Sequence, residues 1–422
     1  MRSSSVLAPS LALVVLTAAG CGDNLKLDLC PDDQPGCVTV DDGTTSEELD
    51  AVFNNAVDGQ VIILAAARYD LTAALQITAN NVTLLGQGKD RTVLSFAGQT
   101  TGAQGILVTG DNFTARGFTI EDTAGDGLKL EGVDGVTLQS LRVTWTGGAS
   151  QDNGAYGLYP VLSKRVLIER CEVSNASDAG IYVGQSEDVI VRNNKVETNV
   201  AGIEIENCKR ADVYANRASN NTGGVLVFNL PGLTVGNGTQ TRVFDNELTG
   251  NNFENFAPAG NIVGKIPPGT GVAVLAANAV EIFDNVVTDH LAAAISVISF
   301  LPIDPSPDDP AFDSYPTAIH VHDNTVSGLA NMPTGELGAL LVLAVDEYSA
   351  PPIVVPDLIW DGVVDPVRGP GGIYPENLRV CFENNGDADF LNINFPTGMG
   401  SLADQDASVV ECTHPPLPAV AL

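Results

Sequence analysis

A Gly-apolar-X-apolar signature returns about every twenty-two residues along this chain. It stands at Gly105-Ile-Leu-Val, Gly127-Leu-Lys-Leu, Gly157-Leu-Tyr, Gly180-Ile-Tyr-Val, Gly202-Ile-Glu-Ile, Gly224-Val-Leu-Val and Gly271-Val-Ala-Val. The steps are 22, 30, 23, 22, 22 and 47 residues, so the period is near 22 with occasional excess. A fixed period of this size means a solenoid whose coils carry loop insertions.

Each repeat holds a second apolar stretch that ends in asparagine: Val191 to Asn194, Val213 to Asn216, Val243 to Asn246, Ile282 to Asn285, Val321 to Asn324 and Cys381 to Asn384. Period-two alternation at β-branched positions, broken by Gly, Asn and Asp, is a strand signal, and no 3.6-residue period competes with it. Two or three short strands per coil therefore stack into parallel sheets. One coil cannot cover its own apolar side chains, so neighbours bury them in a continuous column, with Ile181, Ile203 and Val225 in file. The asparagines form a second file, each at a turn that tolerates left-handed backbone, with amides bonding from rung to rung.

Of 422 residues, 44% are hydrophobic and 17% charged, enough to fill one long core. The net charge of −32 argues against nucleic acid and anionic membrane surfaces as partners. Arg2, the apolar run Leu11 to Leu16 and the small residues before Cys21 read as an export signal over residues 1–21. Ala-Ala-Gly-Cys21 resembles a bacterial lipobox with Ala18 where Leu is usual. It implies lipidation of Cys21, or else ordinary cleavage with a leftover cysteine. The expected location is exported: a lipoprotein of the outer membrane or cell surface, or a periplasmic or extracellular protein. No transmembrane helix is expected in the mature chain. Setting Cys21 aside leaves six cysteines, an even number suited to an oxidising compartment. Cys30 with Cys37, and Cys381 with Cys412, are disulfide candidates. Cys171 and Cys208 align with different places around the coil and are expected to be isolated.

Residues 22–45 read as a polar tether and 46–422 as the repeat domain. Ser46 to Val57 reads as an amphipathic helix with a Ser cap and Leu49, Val52, Phe53 and Val57 on one side. Such a helix covers the open end of the first coil. Loop insertions are expected near 230–240, 253–268, 301–316 and 348–375, where a binding surface is often built.

Val82 to Leu94, preceded by the capping helix, resembles the opening of right-handed parallel β-helix proteins of the pectate-lyase-like superfamily. Asp126 to Pro160, Ser177 to Gln185 and Ala201 to Asn207 are similar to bacterial secreted parallel β-helix repeat proteins without an established activity. The resemblance implies an all-β, right-handed, single-stranded parallel β-helix with an N-terminal capping helix. Its enzymes include polysaccharide lyases, glycoside hydrolases and mannuronan epimerases. Tyr156 to Val161 resembles the epimerase Tyr-Gly-Phe-Asp-Pro-His motif, but Tyr159 and Val161 replace its Asp and His. The hydrolase motifs are absent. The four histidines, at 290, 320, 322 and 414, have no nucleophile-like setting and read as structural.

The middle residue of each signature points outward, which puts Leu107, Lys129, Tyr159, Tyr182, Glu204 and Leu226 in one file at about 4.8 Å per rung. Glu131, Val161, Gly184, Glu206 and Phe228 lie two residues on. Lys129, Tyr159, Asp178, Tyr182, Gln185 and Asn207 are the substrate-binding candidates, with Asn229 and Trp145 at the flanks. Stacked phenols suit sugar faces. Glu204 and Glu206, exposed on one strand, are the candidate catalytic pair at a spacing of about 6 to 7 Å. The other reading makes them solvated surface acids or ligands for a cation. Ca²⁺ is the one cofactor a lyase mechanism would need, with Lys129 as the nearest base, three rungs from Glu204. Two functions fit: an exported β-helix protein that binds or processes a polysaccharide, or a non-catalytic envelope scaffold that binds another protein.

Overall fold

The computed structural model describes residues 30, 36–328, 333–346, 354–395 and 405–422. Each coil lays down three strands in turn, and the coils stack into three parallel sheets of 11, 12 and 10 strands. Sheet I carries the glycine signature, sheet II the second apolar stretch and sheet III a three-residue strand. One coil runs Ala201–Glu206, Lys209–Tyr214 and Arg217–Ser219 before Gly223–Phe228 begins the next.

The registers follow the repeat. Ile181 pairs with Ile203, Ile203 with Val225 and Val225 with Val272, and all four are fully buried in one core. The leading glycines have a steric cause: a Cβ on Gly202 would sit 2.6 Å from the Gly224 carbonyl oxygen, and one on Gly157 equally close to that of Gly180. Only a residue without a side chain lets successive rungs approach there.

Two asparagine ladders line the corners of the coil. In the first, the Nδ2 of Asn194, Asn216, Asn246 and Asn285 each donates to the Oδ1 of the asparagine one rung on, at 2.9 to 3.0 Å. The same Oδ1 atoms accept the backbone N–H of the preceding rung. Asn324 continues to Asn385, not to Asn384. Asn384 takes the left-handed conformation instead, as do Asn193, Asp245, Asp284 and Asp323 one residue ahead of each ladder member. The turn geometry and the amide bonding thus belong to adjacent residues, and the expectation that one asparagine does both is corrected. Cys171 opens this ladder, its N–H donating to Asn194 Oδ1 at 2.8 Å.

The sequence reading missed the second ladder, Asn199 to Asn221 to Asn251, which ends on His290 at 3.1 Å. Cys171 and Cys208 are free and buried, whereas disulfides join Cys30 to Cys37 and Cys381 to Cys412.

The helix spans Ser46–Asn54 and packs against the first strand of sheet I, Ala73–Ile77. Thr45, not Ser46, is the N-cap, in a capping box with Glu48. Leu49 and Phe53 enter the core, but Val57 lies beyond the helix and is 59% exposed. The tether boundary also moves: Cys37–Val40 pairs in parallel with Val61–Leu64 and already belongs to sheet II. Within the expected 348–375 loop, Leu358–Trp360 pairs with sheet I next to Ile295, because its apolar triplet continues the buried column. A second helix, Gly335–Asp346, was not expected. Residues 1–29, including Cys21 and the export signal, lie outside the described residues.

Replacing Asn216 by Ala removes an amide that donates to Val191 O and Asn246 and accepts from Asn194. At about 1–3 kcal/mol per orphaned buried group, a loss of about 2–4 kcal/mol is expected in urea unfolding. A loss below about 0.5 kcal/mol would show that the ladder is dispensable.

Candidate functional site

The outward file of sheet I assembles as the spacing requires. Leu107, Lys129 and Tyr159 are register partners, and Tyr182, Glu204 and Leu226 follow on the next rungs. Glu131, Val161, Gly184, Glu206 and Phe228 align beside them. Lys129 is thus three rungs from Glu204.

The expected exposure of this file is not found. Glu204 is 3% exposed, Tyr182 4% and Glu206 7%. The 253–268 insertion folds back over the face, and Val263 and Ile266 join Leu226, Phe228 and Tyr182 in a second apolar cluster outside the coil. Asn255 holds the insertion in shape by donating to the carbonyls of Val263 and Ile266, and Asn261 ties it to the sheet by donating to Asp178 Oδ2 at 3.2 Å. The roof is therefore apolar at its centre and polar where it meets Asp178.

The face has a covered end and an open end. At the open end Tyr156 and Tyr159 are half-buried, with ring centroids 4.6 Å apart and 4.3 and 5.1 Å from the ring of Tyr182. Lys129 Nζ lies 5.3 Å over the Tyr159 ring and 3.0 Å from Glu131. Asp126, in the turn before the Lys129 strand, accepts the Tyr156 N–H at 3.3 Å. At the covered end the Tyr182 hydroxyl donates to Glu206 Oε1 at 2.6 Å, and Glu204 Oε2 has no hydrogen-bond partner.

Burial dominates the electrostatics of these acids. It pushes Asp126 up to about 6, against the opposing pull of Lys129. It pushes Asp178 up to about 7, aided by the Glu206 charge. Glu204 is raised well above the carboxylate range by burial and then by Asp178 and Glu206, and Glu206 is raised by burial although the Tyr182 hydroxyl favours its charge. Burial raises Tyr159 to about 12. Like charges this close in a low dielectric cannot all ionise, so the cluster retains protons near neutrality.

Several candidates have structural work instead. Gln185 Oε1 accepts the Val235 N–H, and buried Asn207 bonds Leu230 and Val235. Asn229 bonds Gly238 and Ala276. All three fasten the 230–240 insertion; Asn207 and Asn229 use both their amide oxygen and nitrogen in doing so, and Gln185 uses its oxygen. Trp145 is buried and donates to Thr123 O. Asp126 was not singled out as a functional residue, although an acid shortly before the signature glycine also marks Asp178 ahead of Gly180. Further along the sheet, beyond Phe228, a cavity of about 80 Å³ lies between the 253–268 and 301–316 insertions and the second helix, lined by Ile262, Ile266, Ala273, Ile298, Ile303 and Leu341. For Ca²⁺ the face offers no compact trio. Among the described residues three metal-capable side chains meet only on sheet II, at Glu281, His320 and His322.

A family described as a right handed beta helix region matches residues 104–300. No curated protein matches. The fold is similar to the A-module of a mannuronan C-5 epimerase from Azotobacter vinelandii, at 17% identity and a TM-score of 0.45, over 82% of this chain and 91% of that one. It is also similar to a DFA-IIIase variant from Arthrobacter chlorophenolicus A6, at 14% identity and a TM-score of 0.46, over 79% and 91% of the two chains. An alginate lyase from Paenibacillus sp. gives 13% identity and a TM-score of 0.42, over 69% and 94%. No helix among the described residues is long and apolar enough to cross a membrane. With three parallel sheets wound coil by coil and the family match over its central repeats, the chain folds as a right-handed parallel β-helix.

Proposed function

We propose that the chain is an exported, lipid-anchored β-helix protein that binds a polysaccharide along the open end of sheet I and processes it with the acids beside it. The observation that carries this reading is the meeting of Asp126, Tyr156, Tyr159 and Lys129 at the edge of the roof, beside acids that burial pushes above the ordinary carboxylate range. A phenol ring offers a sugar an apolar plane and a polar edge. A lysine ammonium pairs with a uronate carboxylate. Asp126, titrating at about 6, is suited to give or take a proton at working pH. Glu204 and Glu206 lie under the insertion, so their part is to hold protons and charge behind the site rather than to flank a glycosidic bond directly. The two disulfides support passage through an oxidising compartment, and the lipid anchor would be formed at Cys21.

The test is a binding and turnover screen of the chain lacking residues 1–21 against neutral and uronic polysaccharides, with and without Ca²⁺. Tyr159→Ala and Lys129→Ala are each expected to weaken binding of the active glycan about tenfold or more while the melting temperature stays close to wild type. Asp126→Asn should abolish turnover and leave binding in place. Silence across the panel would move the protein to the scaffold reading, an envelope partner taking the place of the glycan.

The protonated acids also make stability depend on pH. Their folded values lie above the ordinary carboxylate value, so the native state holds more protons than the unfolded chain between about pH 4 and pH 7. Their contribution is fully present below the unfolded value and is lost as pH rises through about 6 and about 7. The urea midpoint of Asp178→Asn should therefore fall less steeply over this interval than that of wild type. Parallel profiles would show that Asp178 is ionised throughout.

A further inference from the structure

We propose that Glu281, His320 and His322 form a binding site for one divalent transition-metal ion of the zinc class on the outer face of sheet II. One ligand atom from each lies within 4.8 Å of the other two. The three residues come from two adjacent rungs, His320 being the register partner of Glu281 and His322 that of Phe283. Two of the chain's four histidines thus meet one carboxylate, far from the acids of sheet I.

The hydrogen bonds around the rings match the needs of metal ligands. A ligating histidine is commonly held by a carboxylate on its other nitrogen. His320 Nε2 is 3.0 Å from Glu383 Oε1, and its Nδ1 is buried with no partner. His322 Nδ1 is 2.7 Å from Asp323 Oδ2, and its Nε2 faces Glu281 Oε1 at 3.4 Å. Each ring therefore spends one nitrogen on a carboxylate outside the trio, which leaves His320 Nδ1 and His322 Nε2 for the ion. An orphaned buried ring nitrogen keeps an uncompensated desolvation cost, and a metal bond removes it.

The His322 ring is also held in a stack. His322 ends a stacked file of Tyr214, Phe244 and Phe283, with centroids 4.7 to 5.3 Å apart and planes within 10°. The His320 and His322 rings lie 4.0 Å apart, where two imidazolium charges would repel. Neutral rings sharing one cation with Glu281 resolve that conflict. His₂Glu is a zinc donor set, with bonds of about 2.0 to 2.2 Å and one coordination position open to a further ligand. The three ligand atoms stand within 4.8 Å of one another before any ion is bound, and the side chains turn toward the ion to close on it.

The site also bears on the C-terminal tail. After the Cys381–Cys412 disulfide the chain runs back along sheet II, Leu417 N–H donating to Glu281 Oε2 at 2.9 Å and Val420 N–H to Asp212 Oδ2 at 3.1 Å. His414 stands 5.9 Å from His320, ring to ring. An ion on Glu281 would bind this tail to the end of the solenoid.

The test uses the full chain, stripped with a chelator and titrated with Zn²⁺ by calorimetry, with Co²⁺ absorption as a second readout. One ion per chain is expected, with the visible absorption of a four-coordinate nitrogen and oxygen site and a raised melting temperature. His322→Gln and the near-isosteric Glu281→Gln, each checked for native circular dichroism, should weaken binding at least tenfold. Excess Ca²⁺ should not displace the ion, since the donors are mainly nitrogen. Failure of the folded wild type to bind one Zn²⁺, unchanged binding in Glu281→Gln, or displacement by Ca²⁺ would each overturn the assignment.

Discussion

Everything in this molecule hangs on the transfer of hydrogen bonding from one coil to the next. A single coil has no partner for its outward-facing amides, and parallel strands supply one only when the next coil lies in register. At the corners, where strands stop, the asparagine side chains take over: each carboxamide accepts from the rung before, donates to the rung after and donates again to a corner carbonyl. Burial of polar amides, normally a liability, becomes an orienting device because every atom is satisfied. A one-residue slip would break the backbone ladder and both amide ladders together.

That cooperativity explains which features could be read from the letters alone. The inward files and the outward row from Leu107 to Leu226 follow from strand alternation and a fixed period, and no long-range information is needed to place them. The ladder failed at its end for a local reason: Asn384 and Asn385 are adjacent, and only the register of Val321 with Phe382 decides which one faces the column. The second ladder escaped notice because its neighbours vary, and His290 at its end does not look like an amide. What the sequence could not show was the roof. Whether Glu204 meets water depends on Asn261 reaching Asp178 across 83 residues, and no periodicity encodes that contact.

The roof in turn changes the chemistry of the row beneath it. Exposed, Glu204 and Glu206 would be ordinary surface carboxylates. Covered by Val263, Ile266 and their neighbours, their carboxyls are pushed up by burial, and the side chains left accessible on this face are Lys129 and the half-buried tyrosines at the open edge. The catalytic emphasis placed on the glutamates followed from geometry in two dimensions. In the function proposed above, the third dimension moves it two to three rungs along the same sheet.

Sheet II treats its acids differently. Asp212 is clasped by Arg242 at 2.5 and 2.8 Å, and Glu169 by Arg192 at 2.7 and 2.8 Å. Burial works to raise Glu169 and Glu281, but the bonds from Gln139 and Arg192 in one case, and from His322 and the Leu417 N–H in the other, outweigh it and hold both carboxyls low. Charge on this face is therefore neutralised by partners rather than by protons, and it is spent on fastening side chains and the tail. On sheet I burial prevails over the pull of Lys129, and the Asp126 carboxyl is raised instead. One solenoid thus presents two faces with the same backbone and opposite solutions for a buried carboxyl: burial lifts it on sheet I, and charged or hydrogen-bonding partners lower it on sheet II.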